Sequence, residues 1–217
     1  MKHATAVLLA GGLFFSAQAP CADLSISVLN DAGNQPVAGA VVYLASTRGN
    51  VPPVSAEVIQ KDQQFHPKVL VIPKGSRVEF PNRDNTQHHV YSFSPAKTFN
   101  IELYAGKPEA PVVFDKAGIV EIGCNIHDHM QGFILVTETS AVGTTNAQGR
   151  VTLPLGALPL PDTIDLKLWH PRLPDNTQAV TRTVIPGDPA TVTISLAPVP
   201  ATSGPLELLQ QRFREIE

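Results

Sequence analysis

Residues 123–132 read GCNIHDHMQG, and they place one cysteine, two histidines and one methionine close together in the chain. Cys124, His127 and Met130 stand three residues apart, and glycines flank the run. The stretch therefore reads as a tight loop between two strands, able to aim three side chains at one point. Thiolate and thioether sulfurs are soft ligands and imidazole is borderline, a set that favours copper. Two histidines and one cysteine in a plane, with a weak methionine on the axis, make a copper electron-transfer site. The loop supplies all of these except a second in-plane histidine. Upstream, PNRDNTQHHVYSFS (residues 81–94) offers His88 and His89.

Composition narrows the alternatives. The 217 residues are 43% hydrophobic and 16% charged, which suits one or two β-rich domains with real cores. A pI near 6.1 and the absence of any Lys/Arg run remove the electrostatic basis for nucleic-acid binding. Twenty prolines spread between short apolar runs favour strands and loops over helices. There is no Gly-rich phosphate loop, nucleophile elbow or His-Glu-x-x-His motif. The chain is accordingly not expected to be an enzyme.

The N-terminus, MKHATAVLLAGGLFFSAQAPCAD, has Lys2 before an apolar run that ends in small residues, the pattern of a secretory signal peptide. The run is shorter than the roughly 20 residues of a membrane span. Cleavage is expected after Ala22, since Pro20 blocks the Ala17-Gln18-Ala19 site. Pro20 also stands where a lipid-attachment motif at Cys21 needs a small residue. Removing residues 1–22 leaves 15 basic against 19 acidic side chains, and Cys124 as the sole cysteine. The expected mature protein is periplasmic and has no transmembrane segment. A lone thiol in an oxidising compartment is either buried and inert or held by a metal, and its neighbours argue for the metal.

Along the rest of the chain, LSISVLNDAGNQPVAGAVVYLAS shows two alternating apolar runs about a Gly/Asn/Pro turn and reads as a hairpin or paired strands. TRGNVPPVSA (47–56) reads as a linker. Strands are expected in KVLVIPKGSRVEFPN, HHVYSFS, APVVFDKAGIVEIGC and GFILVTE, then in TTNAQGRVTLPLG, DTIDLKLWHP and ATVTISLAP. The tail GPLELLQQRFREIE aligns Leu206, Leu209, Phe213 and Ile216 on one face of an amphipathic helix.

VEFPNRDNTQHHV resembles the cupredoxin pattern in which Asn-x-Asp leads to the first copper histidine and then x-Val; Asn82, Asp84 and Val90 match. GCNIHDHMQGFILV resembles the other half of that pattern, the ligand loop entering the final strand. Residues 57–138 carry the likeness, closest to bacterial plastocyanin-like proteins of the methylamine-utilisation type. Two positions depart from the pattern: His89 replaces an asparagine, and Ile122 stands where an aromatic is common two residues before the cysteine. The resemblance implies a Greek-key β-sandwich holding one copper ion, Cu(I)/Cu(II), on His88, Cys124, His127 and Met130. His89 then points to the opposite face of its strand. His129 competes with Met130 for the axis, and a site using His129 would be more zinc-like. His66 and His170, each beside a proline, are read as structural, and Trp169 as a core residue.

The run VLNDAGNQPVAGAVVYL resembles the opening of a carboxypeptidase-regulatory-like β-sandwich, and TTNAQGRVTLPLG resembles its continuation. This implies a second small sandwich built from 23–46 and 139–198 and interrupted by the 57–138 domain, with 199–217 as a tail. The alternative is a tandem arrangement in which 23–46 supply the first cupredoxin strands. The expected protein is thus all-β with a short C-terminal helix. It would carry single electrons between periplasmic redox proteins, with copper storage or delivery as the competing role.

Overall fold

The computed structural model describes residues 22–45, 51–156, 161–186 and 189–198. The expected signal peptide, except Ala22, and the expected C-terminal helix lie outside the described residues. Among the described residues the protein is all-β. In chain order the strands are β1 (Ala22–Asn30), β2 (Gln35–Pro36), β3 (Val41–Leu44), β4 (Ser55–Glu57), β5 (Ile59–Lys61) and β6 (Gln64–His66). Next come β7 (Val69–Pro73), β8 (Ser76–Glu79), β9 (His88–Ser94), β10 (Lys97–Tyr104), β11 (Val112–Phe114) and β12 (Gly118–Gly123). The last six are β13 (Gln131–Thr137), β14 (Val142–Thr144), β15 (Arg150–Gly156), β16 (Ile164–Trp169), β17 (Val180–Val184) and β18 (Ala190–Ile194).

The strands stack in layers. An outer sheet has the order β15-β1-β18, with β2 pairing to β1, and next to it lies the sheet β14-β3-β16-β17. A central sheet follows in the order β10-β9-β12-β13-β7, and its far side is covered by β11-β8-β4 and the β5-β6 hairpin. The period-2 alternation of side chains assigns the faces. On β1 the buried residues Leu24, Ile26 and Val28 alternate with more exposed neighbours, so that strand is dry on one face. β3 and β16 differ, because Val41 and Val42, like Leu168 and Trp169, are all fully buried. Trp169 packs edge-on against Phe133 of the central sheet, with ring centroids 5.0 Å apart. Val42 and Leu168 pair in register and face the other way, toward β1.

Strand β13 is the corresponding wall of the half that carries Cys124. Its run Phe133-Ile134-Leu135-Val136 is buried throughout, as expected of a strand covered on both faces. Phe133 and Leu135 join the core formed with β1, β3 and β16, alongside Ile119, Val69 and Val71. Ile134 and Val136 join a second core with Val120, Ile122, Phe114, Phe80 and Phe65. One apolar strand thus welds the two cores together.

The two apolar runs of residues 24–46, read as a hairpin or paired strands, do not pair with each other. β1 and β3 belong to different sheets, and only the two-residue β2 pairs back onto β1. The chain crosses layers at Gly39–Ala40, where the Ala40 N–H donates to Thr145 Oγ1 at 2.9 Å and the Thr145 N–H donates to Ala40 O at 2.9 Å. A hairpin would have left one face of the doubly apolar VVYL run in water. β1 and β3 pair instead with β15, β18, β14 and β16. Strand β10, absent from the sequence reading, forms the edge of the central sheet, and its mostly exposed, alternating surface explains its weak hydrophobic signal. The expected linker ends earlier than residue 56, because β4 begins at Ser55. Among the described residues no helix is long and apolar enough to cross a membrane.

Because β13 belongs to both cores, the two halves should unfold as one unit. Trp169 fluorescence and far-UV circular dichroism should trace the same urea transition. Phe133→Ala should lower stability by about 3–5 kcal/mol. Two separate transitions would contradict the shared core.

Candidate metal centre

The first half of the site is built on Asn82. Its side chain is largely buried, and its Nδ2 donates to Thr86 O at 2.9 Å and Tyr104 O at 3.0 Å. Its Oδ1 accepts the Asp84 N–H at 2.9 Å. The backbone is held as well: the Asn82 N–H donates to Gly106 O, and Gln60 exchanges contacts with Pro81 and Arg83. These bonds fold residues 82–87 into a fixed bend that delivers His88 to the start of β9. His88, Val90 and Ser92 then point inward and are buried. His89, Tyr91 and Phe93 form a row on the other face, with successive ring centroids 5.4 and 5.2 Å apart.

The second half is the loop between β12 and β13. Its Cys124 N–H donates to Met130 O at 3.3 Å, and the Met130 N–H donates to His127 O at 2.8 Å. These bonds close the loop on itself and bring its ends side by side. Gly123, just before the cysteine, lets the Tyr91 ring pack closely, since a Cβ there would lie 3.1 Å from the ring and hydroxyl. Tyr91 pairs with Gly123 across the β9–β12 ladder, which ties the two halves of the site together.

The two segments, 36 residues apart, meet at Cys124. Its Sγ lies 3.9 Å from His88 Nδ1 and 3.9 Å from His127 Nδ1. The three donor atoms all lie within 4.8 Å of one another. Metal–nitrogen bonds of roughly 2.0–2.1 Å and metal–sulfur bonds of roughly 2.3 Å put N and S about 3.8 Å apart in a trigonal plane. The sulfur–nitrogen spacing therefore fits a single first-row metal ion. His88 is fully buried, Cys124 and Met130 nearly so, and His127 half-buried. Met130 belongs to the same core as Cys124.

The surroundings are polar in a controlled way. Asp84 Oδ2 lies 2.8 Å from His88 Nε2, on the side of the ring away from Cys124. Burial alone would raise the Asp84 pKa, but hydrogen bonds from the Gln63 N–H, His88 and the Asp62 N–H together hold it below the ordinary carboxylate value. Tyr104 donates to Phe80 O and accepts from Gln60 Nε2. Burial, with a smaller contribution from the nearby Cys124, pushes the Tyr104 phenol up to about 12 against the opposing Gln60 hydrogen bond.

The structure thus gathers His88, Cys124 and His127, and keeps Met130 in the adjoining core. His89 lies on the opposite face, with no partner for its Nδ1. His129 is exposed, its ring centroid 6.1 Å from that of His127. His66 is exposed, with Nε2 3.2 Å from Lys61 O. His170 accepts the Arg172 N–H at 3.1 Å, and its pKa is lowered by burial first and the Arg172 charge second. Trp169 is a core residue whose Nε1–H donates to Asn176 O at 2.7 Å. Sequence reasoning missed the support given by Asp62, Gln63 and Tyr104, since no local pattern links those residues to His88.

No protein-family profile matches the sequence, and no curated protein does. Solved structures similar to part of the chain include two cupredoxin-type proteins and a copper-containing enzyme. A purple cupredoxin from Nitrosopumilus maritimus is 23% identical over 38% of this chain and 99% of its own, with a TM-score of 0.34. A copper-containing nitrite reductase from Thermus scotoductus SA-01 is 28% identical over 52% of this chain and 28% of its own, with a TM-score of 0.36. A pseudoazurin from Sinorhizobium meliltoi is 22% identical over 40% of this chain and 76% of its own, with a TM-score of 0.32. At such scores the likeness carries no functional argument, and the side-chain geometry has to supply it.

Asn82→Ala would strip three part-buried hydrogen bonds from the bend before His88. Each such bond contributes roughly 0.5–1.5 kcal/mol. Urea denaturation of the metal-free protein should show a loss of that order or more. An unchanged midpoint would mean that Asn82 does not fasten the bend.

Proposed function

We propose that the protein is a mononuclear copper protein that carries single electrons, with His88, Cys124 and His127 in the metal plane and Met130 on the axis. The observation that carries this reading is the position of one buried thiol 3.9 Å from two imidazole nitrogens, one from strand β9 and one from the β12–β13 loop. Copper held by this set supplies a one-electron couple between Cu(I) and Cu(II).

The residues support such a role in three ways. His88 and Cys124 are locked by the β9–β12 ladder and the closed loop, so little of the protein needs to rearrange. Burial of Cys124 and Met130 keeps water and oxidants from the sulfur atoms. His127, the least covered of the four, offers the shortest route to the surface, between Ile126, which is 46% exposed, and the exposed His129. Partners are expected there, and the secretory N-terminus points to redox proteins of the periplasm. The pairing of β1 and β3 with strands of 142–194 supports reading 23–46 and 139–198 as one discontinuous sandwich, with 57–138 inserted.

Copper-loaded protein should absorb strongly in the visible, and Cys124→Ser should abolish that band. Met130→Leu should keep the copper while shifting colour and potential, and His129→Ala should leave the spectrum nearly unchanged. Loss of the band in His129→Ala, with no change in Met130→Leu, would move the axial role to His129. A wild-type protein that binds copper without a visible band would defeat the proposal.

A further inference from the structure

Asp84 reaches the metal cluster from behind His88. Its Oδ2 lies 2.8 Å from Nε2, while the other ring nitrogen, Nδ1, faces Cys124 Sγ at 3.9 Å. An ionised carboxylate can only accept hydrogen bonds. In the neutral ring Nε2 then carries the hydrogen and donates to Asp84, which leaves the Nδ1 lone pair on the side of Cys124.

The carboxylate is itself held in place. Oδ1 accepts the Asp62 N–H at 2.7 Å, and Oδ2 accepts the Gln63 N–H at 2.9 Å. Both donors come from the two-residue turn between β5 and β6, where Asp62 and Gln63 have φ of 54° and 55°. Two successive positive-φ residues are the type I′ arrangement of a short hairpin, and here that turn aims adjacent N–H groups at one carboxylate. The Asp84 N–H is tied to Asn82 Oδ1 at 2.9 Å. Backbone and side chain of Asp84 are therefore both anchored by contacts that need no metal.

We infer that Asp84 is a positioning residue of the metal centre: it holds His88 in the Nε2–H tautomer and sets a fixed negative charge behind the ring. Such a partner raises the basicity of a ligating histidine. The added charge favours copper(II) over copper(I) and so lowers the reduction potential. The electrochemical half of this inference rests on the copper reading above; the tautomer half rests on the metal-free protein alone. A role confined to pinning the β5–β6 turn would affect stability but not the potential.

Two substitutions and two readouts separate these roles. Asp84→Asn keeps an acceptor and removes the charge. It should retain the visible band and shift the Cu(I):Cu(II) affinity ratio at least tenfold toward Cu(I), a rise of ~59 mV for a one-electron couple. Asp84→Glu, which restores the charge, should lie nearer the wild type than Asp84→Asn does. Asp84→Ala removes the acceptor and should weaken copper(II) binding, titrated with the metal alone, by about 10–100-fold. Nitrogen NMR of the metal-free proteins should show His88 as a single Nε2–H tautomer in the wild type and as a mixture in Asp84→Ala.

An Asp84→Asn ratio within twofold of wild type, or an unchanged tautomer in Asp84→Ala, would overturn the inference. Should Asp84→Ala not fold, the potential of Asp84→Asn decides alone. If the wild type forms no copper–thiolate band, the copper reading falls, and the metal-free tautomer decides whether Asp84 positions His88.

Discussion

The structure depends on the burial of β13 on both faces. Four consecutive apolar residues, Phe133 to Val136, cannot sit at a sheet surface without exposing two of them to water. Each buried side chain of this size is worth roughly 1.5–3 kcal/mol, so the fold must supply a layer on either side. The sheet containing β3 and β16 supplies one, meeting Phe133 with Trp169, and the strands around Phe65, Phe80 and Phe114 supply the other. The cysteine loop enters this doubly packed strand directly. The position of Cys124 is therefore set by the most constrained strand of the central sheet.

Rigidity of this kind suits the chemistry proposed for the site. A centre that changes only its oxidation state gains from ligands that do not move, and both segments are fastened before any metal binds. Asn82 bonds the bend that leads to His88, while two backbone hydrogen bonds close the Cys124–Met130 loop. The Tyr91 ring packs closely over Gly123 where the two segments pair. Asp84 extends the same logic to the orientation of a single ring. The turn that holds it belongs to a separate two-stranded sheet, so that hairpin is linked to His88 through one carboxylate.

Much of the site was legible because its chemistry is local. Cys124, His127 and Met130 lie within one short loop, and only a few residue types bind soft metals, so the spacing itself carries the signal. That only one of His88 and His89 could join the site was readable, since neighbouring residues on a strand face opposite ways; the choice of His88 came from the resemblance of VEFPNRDNTQHHV to the cupredoxin pattern. The contact between Asp84 and the Asp62–Gln63 turn was not readable, because it joins segments about twenty residues apart through backbone N–H groups that every residue possesses. Tyr104 and Gln60 were hidden for the same reason: their hydrogen bonds go to backbone oxygen and to each other, and polar partners of this kind leave no periodic trace.

By itself, then, the sequence determined an all-β protein and the short apolar strands around the site, and it pointed to His88, Cys124 and His127 as side chains that would meet. Those features follow from side-chain period, turn residues and ligand chemistry, which act over a few positions. Only the tertiary structure decided that β1 and β3 separate into different sheets and that β13 joins two cores. It also decided that His88 Nδ1 and His127 Nδ1 stand at equal distance from one sulfur. Those outcomes depend on which apolar faces find each other across the molecule. Burial is non-directional and rewards any dry contact, so the pairing of faces is settled by the packing of the whole chain.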